Sequence, residues 1–327
     1  MNLIELSQKE ERLTSGHRLC AGCAEPINMK LVLASIKYPV VVINATSCLE
    51  VATTIYPYTA WNIPWIHNAF ENASATASGV IEAYHAILKK KPEDRPDWAK
   101  DIPADIKFVV VGGDGGTYDI GLQSLSGALE RGHQFLYVCY DNEAYMNTGN
   151  QRSGATPRGS STTTSPVGKA QQGKKEFKKD LTAIIEGHHI NYVAQASISH
   201  FADLTRKVQR AVEVEGPSFI NVISPCQRSW GHDPSLTVRI CDLAVQSNIW
   251  PLYEVDHGKF ILNIDPKDRK PVIEWLKSQK RFKHLLSQAN EKLVGEIQEH
   301  VDKEFARIKK RAEDCKEITP AAQPQNG

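Results

Sequence analysis

The sequence lacks what would tie it to a membrane, a polyanion or an oxidising compartment. No apolar run approaches the roughly 20 residues that span a bilayer, and the opening segment from Met1 to Arg12 mixes both charge signs around no apolar signal core. The formal charge is only +1, so no global field draws the chain to nucleic acid or anionic lipid. No internal repeat is visible. These absences describe a cytoplasmic protein with neither nucleic acid nor membrane as a partner, where thiols stay reduced and the seven cysteines are not structural disulfides. Its 327 residues, 41% of them hydrophobic, suffice for one large core or two small ones.

One spacing stands out. Asp114 sits in Val109-Val-Val-Gly-Gly-Asp-Gly-Gly116, and Asn142 follows 28 positions later in Val138-Cys-Tyr-Asp-Asn-Glu-Ala-Tyr-Met-Asn147. Gly-Asp-Gly alone is an ordinary turn after a strand. A second polar cluster ending the next apolar run favours a site, because the two would lie on adjacent strands. Glycines let the backbone approach a phosphate, and the helix that follows offers free N–H groups. Magnesium takes octahedral oxygen ligands, so Asp114, Asn142 and a nearby carbonyl would leave positions for diphosphate oxygens.

Apolar runs predict strands at Val40–Ile43, Phe108–Val111, Phe135–Tyr140, Tyr192–Ala194 and Phe219–Ile223. Helical patterns alternate with them over Ala69–Lys89, Leu122–Arg131, Lys178–Glu186 and Phe201–Val214. The fold class is α/β, a doubly wound parallel sheet. Cys48, Asp114, Asn142 and Cys226 each follow a predicted strand end by a few residues, which puts all four on the edge where such sheets bind ligands. Cys20 and Cys23 form a CxxC; with Cys48 and Cys226 they could hold zinc or a cubane iron–sulfur cluster, and spacing does not separate the two. Cys139 reads as a small buried apolar residue, and Cys315 lies in a polar tail.

Taken together, the chain resembles the beta subunit of the pyruvate:ferredoxin oxidoreductase family, over roughly residues 12 to 290. The likeness is carried by Leu19-Cys-Ala-Gly-Cys-Ala-Glu25, Ala45-Thr-Ser-Cys-Leu-Glu50, the block Thr59 to Asn72, Gly112 to Gly121, Asp141 to Gly149, Ser224-Pro-Cys226 and Ile249-Trp-Pro-Leu-Tyr253. It implies a thiamine diphosphate-binding fold and a 4Fe-4S cluster on Cys20, Cys23, Cys48 and Cys226. It further implies magnesium on Asp114, Asn142 and the Ala144 carbonyl. Thiamine diphosphate contacts would come from Glu25, Cys48, Gly113, Asp114, Gly115, Gly116, Asn142, Glu143, Ala144, Tyr145, Met146 and Asn147, with Asn147 placed near the reacting carbon as the catalytic residue. Gln227-Arg-Ser229 departs from relatives, which often carry a proline and a glycine there.

The implied activity is reversible oxidative decarboxylation of a 2-oxoacid, with the cofactor as electron sink and electrons passed to ferredoxin. Pyruvate is the expected substrate, from the Thr59–Asn72 block and the Trp250–Tyr253 segment, with coenzyme A as acyl acceptor; oxalate, phenylglyoxylate or another 2-oxoacid are the alternatives. A further alternative is a non-redox thiamine decarboxylase or carboligase half with a structural zinc. An alpha-type subunit would supply the glutamate facing the cofactor's pyrimidine, and gamma and ferredoxin-like delta subunits complete the larger relatives.

Several segments read more plainly. Residues 147–175 are expected to form a solvated connecting loop or subunit contact. Lys174, Lys175, Lys178 and Lys179 are expected at an exposed helix start, His67 in an aromatic-rich loop against a partner, and His188 and His189 at a helix carbonyl end. The domain expected to bind thiamine diphosphate, including the cluster segment, covers 1–226. Residues 227–317 form a C-terminal arm, irregular to about 270 and then helical, with Val294, Ile297, Val301 and Phe305 at helical spacing. Residues 318–327 are expected to be disordered.

Overall fold

The structure is a computed structural model and describes residues 2–318. Beyond Ile318, which ends the last helix, the expected disordered tail lies outside the described residues.

Continuous β-branched runs become strands buried on both faces, and the sheet forms because each face has its own helical cover. The strands are β1 (Val40–Ala45), β2 (Trp65–Asn68), β3 (Lys107–Gly113), β4 (Leu136–Asp141), β5 (Tyr192–Ser197), β6 (Ser218–Ile223), β7 (Tyr253–Asp256) and β8 (Lys259–Leu262). They join in the order β2-β1-β3-β4-β6-β5-β7-β8. All pairings from β2 to β5 are parallel, and those of β7 with β5 and β8 are antiparallel.

Alternation along β3 shows why the run is apolar throughout. Val109 and Val111 enter one core, while Phe108 and Val110 enter the other on the opposite face, as expected for a parallel strand covered twice.

The helices are α1 (Leu3–Ser7), α2 (Ala24–Ser35), α3 (Cys48–Thr53), α4 (Ala73–Leu88), α5 (Leu122–Glu130), α6 (Leu181–Glu186), α7 (Phe201–Ala211), α8 (Thr237–Gln246), α9 (Val272–Lys277) and α10 (Glu291–Ile318). The four helices expected between the strands are α4, α5, α6 and α7, although α4 and α6 begin a few residues late and α7 ends early. In α6 the cause is local: Asp180 accepts from the Ala183 N–H and caps the helix there.

Two expectations fail. Residues 227 to about 270 are not irregular, because that segment supplies α8 and the strands β7 and β8, which extend the sheet. Those strands were too short and too mixed to register as parallel runs. The block containing Trp65 also holds an edge strand, β2, pairing Val42 with Trp65. As expected, α10 buries Ile297, Val301 and Phe305, and Ile308 and Ala312 continue the stripe onto Tyr253 and Phe260.

Candidate active site

Strand order decides where the motifs meet. β1, β3, β4 and β6 are consecutive and parallel, so the loops leaving their carboxyl ends share one edge. Cys48 opens α3 after β1, Asp114 follows β3, Asn142 follows β4 and Cys226 follows β6.

β3 runs into a π-helical turn, Gly115–Ile120, a rare form frequent at functional sites. Asp114, wholly buried, caps it. Its Oδ2 accepts from the Ser153 hydroxyl at 2.5 Å, while Oδ1 has no hydrogen-bond partner. Burial, and then the neighbouring Asp141, holds this carboxyl well above the usual range. A lone buried carboxylate oxygen is costly, and a cation would supply its missing partner. At Gly115 an added Cβ would stand 2.4 Å from the Tyr145 ring, whose hydroxyl donates to the Gly115 carbonyl at 2.8 Å.

The loop after β4 is held at nearly every polar atom. The Asn142 amide donates to Glu25 at 3.0 Å, and the Asn142 carbonyl accepts from the Trp230 indole at 2.8 Å. The Glu143 carbonyl accepts from Thr156 at 2.6 Å. Glu143 itself adopts φ 66°, and its buried carboxylate lies between Lys178 and Arg281.

Of the predicted contacts, Cys48, Gly113, Asp114, Gly115, Gly116, Asn142, Ala144, Tyr145, Met146 and Asn147 line one cleft. Glu25 and Glu143 do not line it. Glu25 lies behind Asn142, and burial pushes its carboxyl up to about 7.

The four predicted cluster cysteines are mutual electrostatic neighbours. The charges of Cys48 and Cys226 act on Cys23, those of Cys226 and Cys20 on Cys48, and that of Cys20 on Cys226. Cys23 closes a turn on the Cys20 carbonyl at 3.0 Å. Gly22 in that turn has φ 75°, and a Cβ there would meet the Pro234 carbonyl at 2.5 Å, which only glycine tolerates.

Burial raises the thiols of Cys23, Cys48 and Cys226 above their usual range, and the nearby Glu25 adds to the effect. Among the described residues, no three His, Cys, Asp or Glu side chains are set to hold a metal ion. The unusual Gln227-Arg-Ser229 segment forms a π-turn whose Arg228 and Ser229 N–H groups point to the Cys226 sulfur. Asn147 is exposed and hydrogen-bonds Cys48.

Sequence reasoning missed Ser153, Trp230 and Arg281, which reach the site from remote segments without a motif. It also misplaced the lysines. Lys175 and Lys179 are exposed, but Lys174 donates to the Thr156 carbonyl at 2.6 Å, and Lys178 bridges Asp141 at 2.7 Å and Glu143 at 3.1 Å. Residues 147–175 likewise pack, burying Ser153, Thr156 and Ser160. His67 lies on β2, where Nε2 is 2.9 Å from the Thr46 hydroxyl, and His188 meets the Ile184 carbonyl at the end of α6, as expected. Cys139 is buried within β4.

Residues 45–222 match the family of thiamine pyrophosphate enzymes, C-terminal TPP binding domain. Fold and match together define the thiamine diphosphate-binding part of a thiamine enzyme. The chain is 52% identical to pyruvate synthase subunit PorB of Thermotoga maritima, over 93% of each chain. It is 40% identical to ketoisovalerate oxidoreductase subunit VorB of Pyrococcus abyssi, over 93% of this chain and 94% of that one. The chain belongs to the beta subunits of the 2-oxoacid:ferredoxin oxidoreductase family. In fold it is similar to a chain of 2-oxoglutarate:ferredoxin oxidoreductase from Magnetococcus marinus, solved with 2-oxoglutarate, coenzyme A and succinyl-CoA bound. There the TM-score is 0.52 at 21% identity, over 67% of this chain and 69% of that one. Among the described residues no helix is long and apolar enough to cross a membrane.

Proposed function

We propose that this chain is the cofactor- and cluster-bearing subunit of a cytoplasmic pyruvate:ferredoxin oxidoreductase, with coenzyme A as acyl acceptor. The observation that carries this reading is the meeting of Cys48, Asp114, Asn142 and Cys226 at one edge of four adjacent parallel strands, with a buried Asp114 oxygen left unpartnered. The names of relatives 52% and 49% identical to this chain favour pyruvate.

Asp114 Oδ1 and the Asn142 amide oxygen would hold magnesium. The Asn142 and Glu143 carbonyls are already engaged, so the Ala144 carbonyl is the next backbone oxygen for the metal. Gly113, Gly115 and Gly116 keep side chains out of the diphosphate's path, Tyr145 and Met146 wall the cleft, and Glu25 and Glu143 brace it from behind. Thiamine diphosphate, when bound, supplies the electron sink for decarboxylation. Asn147 lines that cleft beside Cys48, to which it hydrogen-bonds, and its amide can orient a substrate oxygen there.

Cys20, Cys23, Cys48 and Cys226 would hold a 4Fe-4S cluster, whose iron would take the place of the protons that burial makes hard to remove from Cys23, Cys48 and Cys226. Zinc, with Zn–S near 2.3 Å, would need sulfurs about 3.8 Å apart. Zinc offers no redox chemistry beside the thiamine site, and the iron content and visible absorbance of the complex as purified would separate the two.

The cleft encloses only about 20 Å³ within this chain, against roughly 300 Å³ or more for a small-molecule site. An alpha-type subunit would close it and bring the pyrimidine-facing glutamate. Gamma and ferredoxin-like delta subunits would carry electrons on to ferredoxin. In this division residues 1–226 carry the cofactor loops and residues 227–317 buttress them.

The test is anaerobic purification with the co-encoded subunits and a screen of 2-oxoacids with a viologen dye, with and without coenzyme A. Coenzyme A-dependent dye reduction with pyruvate is expected. Turnover without coenzyme A would move the assignment to oxalate, and no reduction with any 2-oxoacid would overturn it.

A further inference from the structure

Arg281 lies in the 3₁₀ segment Lys280–Leu286, far in sequence from every motif. Its side chain is 2% exposed. It donates to Glu143 Oε2 at 2.5 Å and to Gln279 Oε1 at 2.8 Å, and its guanidinium stands 3.9 Å from the Trp230 ring centroid.

Two consecutive residues of the loop after β4 are thereby tied to it. Glu143 is held directly. Asn142 is held through Trp230, whose indole N–H donates to the Asn142 carbonyl at 2.8 Å. Glu143 has φ 66°, uncommon for a residue with a Cβ, and its carboxylate is also held by Lys178 at 3.1 Å. Surrounding contacts must over-determine such a backbone for it to persist.

A buried ion pair is a poor source of net stability, since apolar replacements of similar size often match it. What this one does supply is a defined position for the backbone on either side of Glu143. We propose that Arg281 is a positioning residue for the divalent metal: acting on Glu143 together with Lys178, and on Asn142 through Trp230, it sets the conformation that presents the Asn142 amide and the Ala144 carbonyl toward Asp114. The inference rests on the assignment of Asn142 and Ala144 as metal ligands.

The test uses the assembled complex and follows thiamine diphosphate binding by calorimetry as magnesium is titrated, beside thermal unfolding. Arg281→Met should raise the magnesium concentration for half-maximal binding by about 10- to 100-fold, the usual effect of losing an outer partner of a metal ligand. Glu143→Gln should do the same. The double variant should be no worse than the poorer single one, because each change breaks the same link.

If Arg281→Met lowers the unfolding temperature but leaves the magnesium midpoint in place, Arg281 only packs and the inference falls. Should that variant fail to assemble, Arg281→Lys keeps the cation among the indoles but not the fork; its midpoint should also rise, and an unmoved one overturns the inference. Asp114→Asn separates the two levels. Weakened binding in Asp114→Asn beside an unaltered Arg281→Met removes the positioning role alone. Binding that needs no magnesium in the wild type and survives in Asp114→Asn removes the ligand assignment itself, and the positioning role with it.

Discussion

The Asn142 side-chain amide donates to the Glu25 carboxylate at 3.0 Å across a sequence separation of 117 residues. This contact joins the loop expected to carry the metal to the CxxC segment expected to carry the cluster. Glu25 also acts on the thiols of Cys23, Cys48 and Cys226. One buried carboxyl therefore faces both halves of the site.

Its protonation should be visible in stability. Burial raises the Glu25 carboxyl from 4.5 to about 7, so the folded apo-protein holds a proton that the unfolded chain releases. Stability from this group is fully present below pH 4.5 and lost as pH rises through 7. The shift corresponds to about 3 kcal/mol at most. Urea unfolding of the apo-protein should show wild type losing stability between about pH 5 and 7 relative to Glu25→Gln. Parallel pH profiles for the two would show that Glu25 does not titrate there.

Asp114→Asn should separate stability from function. The buried carboxyl strongly disfavours its charge, and an amide keeps an oxygen for Ser153 without that charge. The apo-protein should gain about 1–3 kcal/mol in denaturant unfolding. Magnesium-dependent thiamine diphosphate binding should fall by at least about tenfold.

Cys226→Ser should remove iron and visible absorbance from anaerobically purified complex, since a serine oxygen is a poor substitute for a cluster thiolate. The complex should still bind thiamine diphosphate, because Cys226 does not line the cleft. Unchanged iron content in this variant would remove Cys226 from the ligand set.

Gly115→Ala should be costly beyond its size. The new methyl would lie 2.4 Å from the Tyr145 ring, forcing the ring away and breaking its bond to the Gly115 carbonyl. A loss of about 1–3 kcal/mol is expected in equilibrium unfolding. Adding Tyr145→Ala, which removes the clashing ring, should leave the double variant no less stable than Tyr145→Ala alone.

Much of this was legible because it depends on local pattern. Val109-Val-Val-Gly-Gly-Asp114 places a carboxylate at the end of a doubly covered strand, and the next such run ends at Asn142; strands of that kind lie parallel and side by side. Cys48 and Cys226 follow from the same logic. β7 and β8 were not legible: each has four residues, and they pair antiparallel at the sheet's far end, where no continuous apolar run is required. Lys178 was misread because a lysine in a polar stretch is ordinarily solvated. Only the fold shows that Asp141 and Glu143 wait beneath it.

The sequence by itself determined the class of fold, the edge of the sheet that carries the chemistry, and the residue types presented there, because periodicity and glycine placement act over a few residues. Tertiary structure alone decided what braces them. Ser153 on Asp114, Trp230 on Asn142 and Arg281 on Glu143 come from segments with no recognisable spacing, and they matter because buried polar atoms must find partners wherever the packed chain brings them.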